Sequence, residues 1–240
     1  MASWIVHLRI AENLLERISA LDESLFAVGN IAPDSGIPDE RWENFTPPSE
    51  VTHFQANGDV HRNCRDLDFY RRYLGPISLQ SKPREFSFLL GYFFHLITDN
   101  LWSIRIGRPT SARFEAQFAA DKNFIWEVKK DWYGLDFIYL RDHPESLFWR
   151  VFLHADYDCV DLDFLPAEAI RQRITYIKQY YQRSDEDIQA MVSRPFVYLS
   201  QGGMDDFVQE ASDRLDAIYR YLCLKRGETG RLSTALAIGV

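Results

Sequence analysis

The stretch Phe86-Ser-Phe-Leu-Leu-Gly-Tyr-Phe-Phe-His95-Leu-Ile-Thr-Asp99-Asn-Leu-Trp102 decides how the rest of the chain is read. Apolar side chains occupy nearly every helical phase of it, the pattern of a helix surrounded by protein on all sides. It is shorter than the ~20 apolar residues a bilayer span needs, and His95, Thr98, Asp99 and Asn100 interrupt it, so it reads as a core helix. His95 and Asp99 stand four residues apart and share one face. A buried lone carboxylate is costly, so Asp99 needs a cation, a metal or several donors. His-x-x-x-Asp is a spacing by which one helix gives two ligands to a single metal ion. The alternative is a His–Asp hydrogen bond that satisfies itself inside the core.

Outward from this helix the chain is helical in both directions. Trp4, Leu8, Ala11, Leu15 and Ile18 recur at helical spacing, which predicts an amphipathic helix over about 3–20. From Gly29 to about Gly58 the chain is expected to be a loop, with Pro33, Pro38, Pro47 and Pro48 forbidding regular structure. Asp66–Leu74 reads as a short helix ended by Gly75-Pro76. Thr110-Ser111 caps a helix carrying Phe114 and Phe118, and a longer one covers about 122–140. Pro166 opens another with Ile170, Ile174 and Ile177 on one face. The last helix runs from about Met204 to Arg226, and the tail 227–240 is expected to fray or pack loosely. With no convincing strand alternation, the expected fold is all-α, a single compact multi-helix domain over 1–226.

The 240 residues are 46% hydrophobic and 26% charged, which excludes wholesale disorder and fibrous repeats. With 27 Lys and Arg against 35 Asp and Glu, the net charge is −8, so general nucleic-acid coating is not expected. Cys64, Cys159 and Cys223 have neither disulfide-framework nor zinc-finger spacing. The opening Met1-Ala-Ser-Trp-Ile-Val-His7 lacks a basic and then apolar leader pattern, and the expected location is cytoplasmic.

Polar residues intrude at several positions that the pattern assigns to the core. His7 lies on the apolar side of the first helix with Ala11, Leu14 and Ile18. Asp131 sits mid-stripe between Phe124, Val128, Leu135 and Ile138, where the plain alternative is a Lys or Arg from another helix. Asp34 follows Ala32-Pro33 in a rigid turn, and His53 precedes Phe54; an Asx-turn and a solvated histidine are their ordinary readings. Together these intrusions read as one polar site converging between helices, as in bundles that hold metals.

The combination of His7, Gly29-Asn-Ile-Ala-Pro-Asp34, His53 before an aromatic, and Gly91-Tyr-Phe-Phe-His95-Leu-Ile-Thr-Asp99 resembles the zinc-dependent phospholipase C-like family, related in fold to P1-type nucleases. The resemblance covers roughly the first hundred residues. It implies metal ligands at His7, Asp34, His53, His95 and Asp99. It also implies a later helix with further ligands and a metal-binding amino group on an N-terminal Trp. Here Trp4 is internal, Asn100-Leu-Trp-Ser103 follows the ligand helix, and Asp131 or Asp136 are the replacements at hand. One or two ions are therefore expected, zinc first, with manganese or iron as alternatives.

Such a site activates water for attack on a phosphoric ester. Asp34, by its loop position, is the expected catalytic carboxylate that orients or deprotonates that water. Arg105 and Arg108, just past the ligand helix, are candidates to bind the phosphate of a small phosphoester or phospholipid headgroup, unless they are solvated surface charges. Trp102, Phe94 and Trp132 are candidates to line an apolar pocket. Asp156–Ala167 lacks the Gly and final Glu of an EF-hand loop, and only a reversed Asp142-His143 pair occurs. No nucleophile-elbow, phosphate-loop or dinucleotide motif is present. The rival expectation is a non-catalytic helical protein with a structural metal or a paired polar core.

Overall fold

The computed structural model describes residues 1–41, 43–56, 59 and 63–239. Its elements run in chain order as α1 (Trp4–Leu15), α2 (Glu23–Gly29), a 3₁₀ turn over Ala32–Asp34, the two-residue strands β1 (Ile37–Pro38) and β2 (Phe45–Thr46), and α3 (Ser49–Thr52). Then come α4 (Asp66–Phe69), α5 (Pro83–Trp102), α6 (Arg108–Arg113), α7 (Glu115–Ala120) and α8 (Phe124–Asp142). The chain closes with α9 (Leu147–Arg150), α10 (Ala167–Tyr181), α11 (Asp185–Val192) and α12 (Gln201–Tyr219). The fold is mostly helical. The only strand pair among the described residues is the antiparallel β1–β2 contact, Ile37 opposite Thr46. None of the described helices is long and apolar enough to cross a membrane.

Helix α5 is the axis. Every residue from Phe86 to Trp102 is buried, as its uniform hydrophobicity requires. Helix α2, to most of which the sequence pattern assigns no element, packs along it. Asp22 starts α2 by accepting the Leu25 amide at 3.0 Å, a side-chain cap on an otherwise orphaned donor. The two helices meet backbone to backbone at Gly29 and Gly91. A Cβ on Gly29 would sit 2.1 Å from the Phe88 carbonyl oxygen, and one on Gly91 2.4 Å from that of Phe26. Only glycine permits this approach, and the approach places the Asn30 carbonyl against His95. Helix α1 packs between α5 and α12, and α8 and α10 flank the opening of α1.

Two expectations change. The Pro-rich segment is not merely irregular: it folds into the 3₁₀ turn, the small hairpin and α3, which turn Asp34 and His53 inward. Gly58, at its far end, lies outside the described residues. The tail beyond Arg226 is pinned down. Thr234 and the Ala235 amide donate to Asp66 at 2.6 and 2.7 Å, and Ala235 is fully buried. Buried carboxylates need donors, and this one draws the chain end onto α4 and α5. Val240 lies outside the described residues.

Candidate metal centre

Five of the six ligand positions read from the sequence converge. α1 supplies His7, the end of the 3₁₀ turn supplies Asp34, the residue capping α3 supplies His53, and α5 supplies His95 and Asp99. One ligand atom from each of His7, His95 and Asp99 lies within 4.8 Å of the others, and the same holds for Asp34, His53 and His95. His7 Nε2 is 3.4 Å from Asp99 Oδ1, and Asp99 Oδ2 is 3.5 Å from both His53 Nε2 and His95 Nε2. Asp34 Oδ1 is 3.4 Å from His53 Nε2. His7 and His95 stack, with ring centroids 3.9 Å apart and planes within 5°. His53 is buried, not solvated.

The outer nitrogens fix which atoms face inward. His95 Nδ1 lies 2.8 Å from the Asn30 carbonyl oxygen, and His53 Nδ1 lies 3.1 Å from that of Ser49. A carbonyl only accepts, so His95 Nδ1 carries the hydrogen, and in the neutral ring its Nε2 presents a lone pair to the cluster. His53 Nδ1 also lies 3.0 Å from the Thr52 hydroxyl, which can donate or accept, so either of its tautomers is served. The Nε2 atoms of His95 and His53 are 3.3 Å apart. Facing lone pairs at that distance repel unless a proton or a metal ion sits between them. His7 Nδ1 and Nε2 and Asp99 Oδ2 are also buried with no hydrogen-bond partner. Orphaned donors and acceptors in a core are rare and costly, and the donor set of imidazoles and carboxylates suits zinc, manganese or iron.

The electrostatics have a consistent cause. Burial, aided by neighbouring His95, pulls the His7 imidazole down to about 4, so it is neutral at neutral pH. Burial also disfavours charge on His95, but Asp99 and Asp34 outweigh it and hold that imidazole above its ordinary value. Burial pushes the Asp99 carboxyl up, yet the Met1 amino group, His95 and His7 keep it well below the usual range. Asp34 is held low in the same way by His53 and His95 against burial. Asp99 Oδ1 further accepts the Ala2 amide at 2.8 Å, and Asp34 Oδ2 the Trp4 indole N–H at 2.9 Å.

The centre has a closed side and an open side. Asp34 and His53 line a cavity of about 420 Å³ reaching the surface between α1, β2, α8 and α10; His7, His95 and Asp99 do not line it. Trp132 is in the cavity wall, while Trp102 packs edge-on against it at 5.1 Å and Phe94 is core.

Three expectations are corrected. Asp131 is not a ligand: its Oδ1 pairs with Arg194 at 3.2 Å and its Oδ2 accepts the Tyr198 amide at 2.6 Å, because α11 and the segment after it bring those donors to its face of α8. Asp136 is likewise taken, by Ser3 Oγ and the Tyr181 hydroxyl, each at 2.6 Å. Arg105 and Arg108 do not line the cavity; they bond Glu210 and Asn63 at the surface, both at 2.8 Å. Both lie beyond the end of α5, Arg105 in the turn that follows it and Arg108 at the start of α6. The cations that do line the cavity, Lys129 and Arg173, sit on α8 and α10. No motif marks them, and only the packing of distant helices brings them there. No family model, curated protein or solved structure matches the chain.

Proposed function

We propose that the protein is a metal-dependent hydrolase of phosphoric esters, zinc being the first metal to test, with a site of the phospholipase C and P1-nuclease kind. The observation that carries this reading is the convergence of His7, Asp34, His53, His95 and Asp99, with two imidazole Nε2 atoms 3.3 Å apart and both His7 nitrogens and Asp99 Oδ2 buried without a hydrogen-bond partner. His7, His95 and Asp99 would hold an ion on the closed side, with His53 and Asp34 completing one or two sites toward the cavity. A bound divalent ion supplies Lewis acidity toward a phosphoryl oxygen and toward water. The chain's own residues do the rest. Asn30 and the Ser49 carbonyl fix the imidazole rings, Trp4 orients Asp34, and the Asp34 carboxylate, ionised and open to the cavity, orients the attacking water or takes its proton. The cavity accepts the ester of a small phosphorylated substrate or a phospholipid headgroup.

A second reading is a paired polar core without catalysis. It is favoured by the raised affinity of His95 for a proton, which would let a protonated His95 sit between Asp99 and His53. Turnover separates the two. Zinc-supplemented protein should hydrolyse a chromogenic phosphoester such as 4-nitrophenyl phosphate or bis(4-nitrophenyl) phosphate. Asp34→Asn should lower kcat by about 10²- to 10⁴-fold, the usual worth of a general base, with thermal stability near wild type. A variant as fast as wild type removes Asp34 from this role.

A further inference from the structure

The cavity beside Asp34 and His53 contains two cations that the chemistry above does not use. Its volume of about 420 Å³ is that of a small-molecule site. Its wall is strongly aromatic, with Trp4, Trp132, Tyr133, Tyr176 and Tyr180 among the lining residues. Arg173, from α10, is only 7% exposed. Its Nη2 donates to the Gly36 carbonyl at 2.9 Å, and its guanidinium carbon lies 5.7 Å from the Trp4 ring centroid. Lys129, half-buried on α8, holds its Nζ 4.8 Å from the Trp126 ring centroid.

Among the described residues neither cation forms an ion pair with a carboxylate, and the neighbouring pairs go elsewhere: Lys130 and Arg194 take Glu127, and Arg194 takes Asp131. Burial lowers the proton affinity of both Arg173 and Lys129, and the charge of Asp34 offsets it only in part. Taking a guanidinium out of water without a counter-ion is expensive. One carbonyl and a cation–π contact return a fraction of that cost. An anion brought by the ligand would balance the buried guanidinium and the half-buried ammonium in this open cavity.

The charge count selects among anions. The lining sets Lys129 and Arg173 against the single carboxylate of Asp34, and this net positive wall attracts a phosphate monoester, at about −1.5 to −2 at pH 7, more strongly than a singly charged diester. A quaternary ammonium group, which aromatic walls otherwise attract, is repelled by Lys129 and Arg173. The flat aromatic wall favours a planar apolar group on the ester. We propose that Lys129 and Arg173 form an anion clamp that selects phosphate monoesters bearing an aromatic group over diesters and over cationic headgroups. The choice of phosphate among dianions rests on the hydrolase reading of the adjoining centre.

Binding is the test, followed by tryptophan fluorescence, since Trp4 and Trp132 line the cavity. The probes are phenyl phosphate, diphenyl phosphate and phenyltrimethylammonium, each titrated into zinc-supplemented and into chelator-treated protein. Phenyl phosphate should bind at least about tenfold more tightly than the other two, and Lys129→Met and Arg173→Met should each weaken it by about tenfold, the worth of one charge-assisted contact. Arg173→Lys, which keeps the charge and loses the fork, should fall between. If Arg173→Met does not fold, the half-buried Lys129→Met carries the test alone. Equal affinities for wild type and the Met variants, or tighter binding of diphenyl phosphate or phenyltrimethylammonium, overturn the clamp. Charge-dependent binding without turnover in zinc removes the hydrolase reading and leaves the clamp standing.

Discussion

Asp99 and Asn100 are neighbours on α5, both buried, and they head two opposite kinds of polar core. Asn100 belongs to a finished network. Its Oδ1 accepts the Cys64 amide, and its Nδ2 donates to the Cys64 carbonyl and to Asp66, all at 2.8 Å. Thr234 and the Ala235 amide complete the Asp66 carboxylate. Asp99 heads an unfinished one. Its Oδ2 has no hydrogen-bond partner, and three imidazoles crowd it at distances too long and too poorly aimed for hydrogen bonds. Burial alone therefore does not separate a structural polar group from a functional one in this molecule. Convergence does: Asn100 and Asp66 sit in a mutually satisfied network, whereas several orphaned buried atoms meet around Asp99.

Breaking the finished side should cost most. Asn100→Ala takes one of three donors from Asp66 and leaves both Cys64 backbone groups without their partner, so it should lower unfolding stability by about 2–4 kcal/mol, read from chemical denaturation. On the unfinished side the sign reverses. In metal-free protein, His7→Leu removes two orphaned buried nitrogens and should raise stability by about 1–2 kcal/mol, while metal binding falls. A loss of stability there would mean that His7 has a partner in the metal-free state.

The smallest effect at any single pH concerns Asp136. Burial raises its carboxyl to about 7, against an ordinary value of 3.8, despite bonds from Ser3 and Tyr181. The native state therefore binds a proton that the unfolded chain has released. Its contribution is full below pH ~4 and is lost as pH rises through about 7. Asp136→Asn keeps a hydrogen-bonding group whose hydroxyl partners can rotate, so its stability should decline less than wild type's between pH 4 and 7. Identical pH profiles for the two would show that Asp136 is ionised throughout.

The same contrast explains what the sequence made legible. The His95–Asp99 spacing and the apolar surroundings of His7 identify half the centre, because helical periodicity is local and a charged group on an apolar face stands out. Asp34 and His53 lie in irregular chain, and their inclusion rests on resemblance to a family motif. Asp131 stands out on its helix as strongly as His7 does, yet Arg194 and the Tyr198 amide, remote in sequence, pair with it; a pattern on one helix carries no information about donors arriving from another. Lys129 and Arg173 show the reverse. A lysine and an arginine on amphipathic helices look like ordinary surface charges until the start of α1, α8 and α10 close a cavity around them. Gly29 and Gly91 read as loop and helix glycines, and their role in seating the Asn30 carbonyl on His95 depends on two helices meeting.

The most direct measurement is metal content, by inductively coupled plasma mass spectrometry, of wild type beside His95→Ala and Asn100→Ala after incubation with zinc and gel filtration. One or more equivalents in wild type, lost in His95→Ala and retained in whatever fraction of Asn100→Ala remains folded, is the predicted result. Wild type without retained zinc, manganese or iron under any loading condition would contradict it and leave the five converging side chains as a paired polar core.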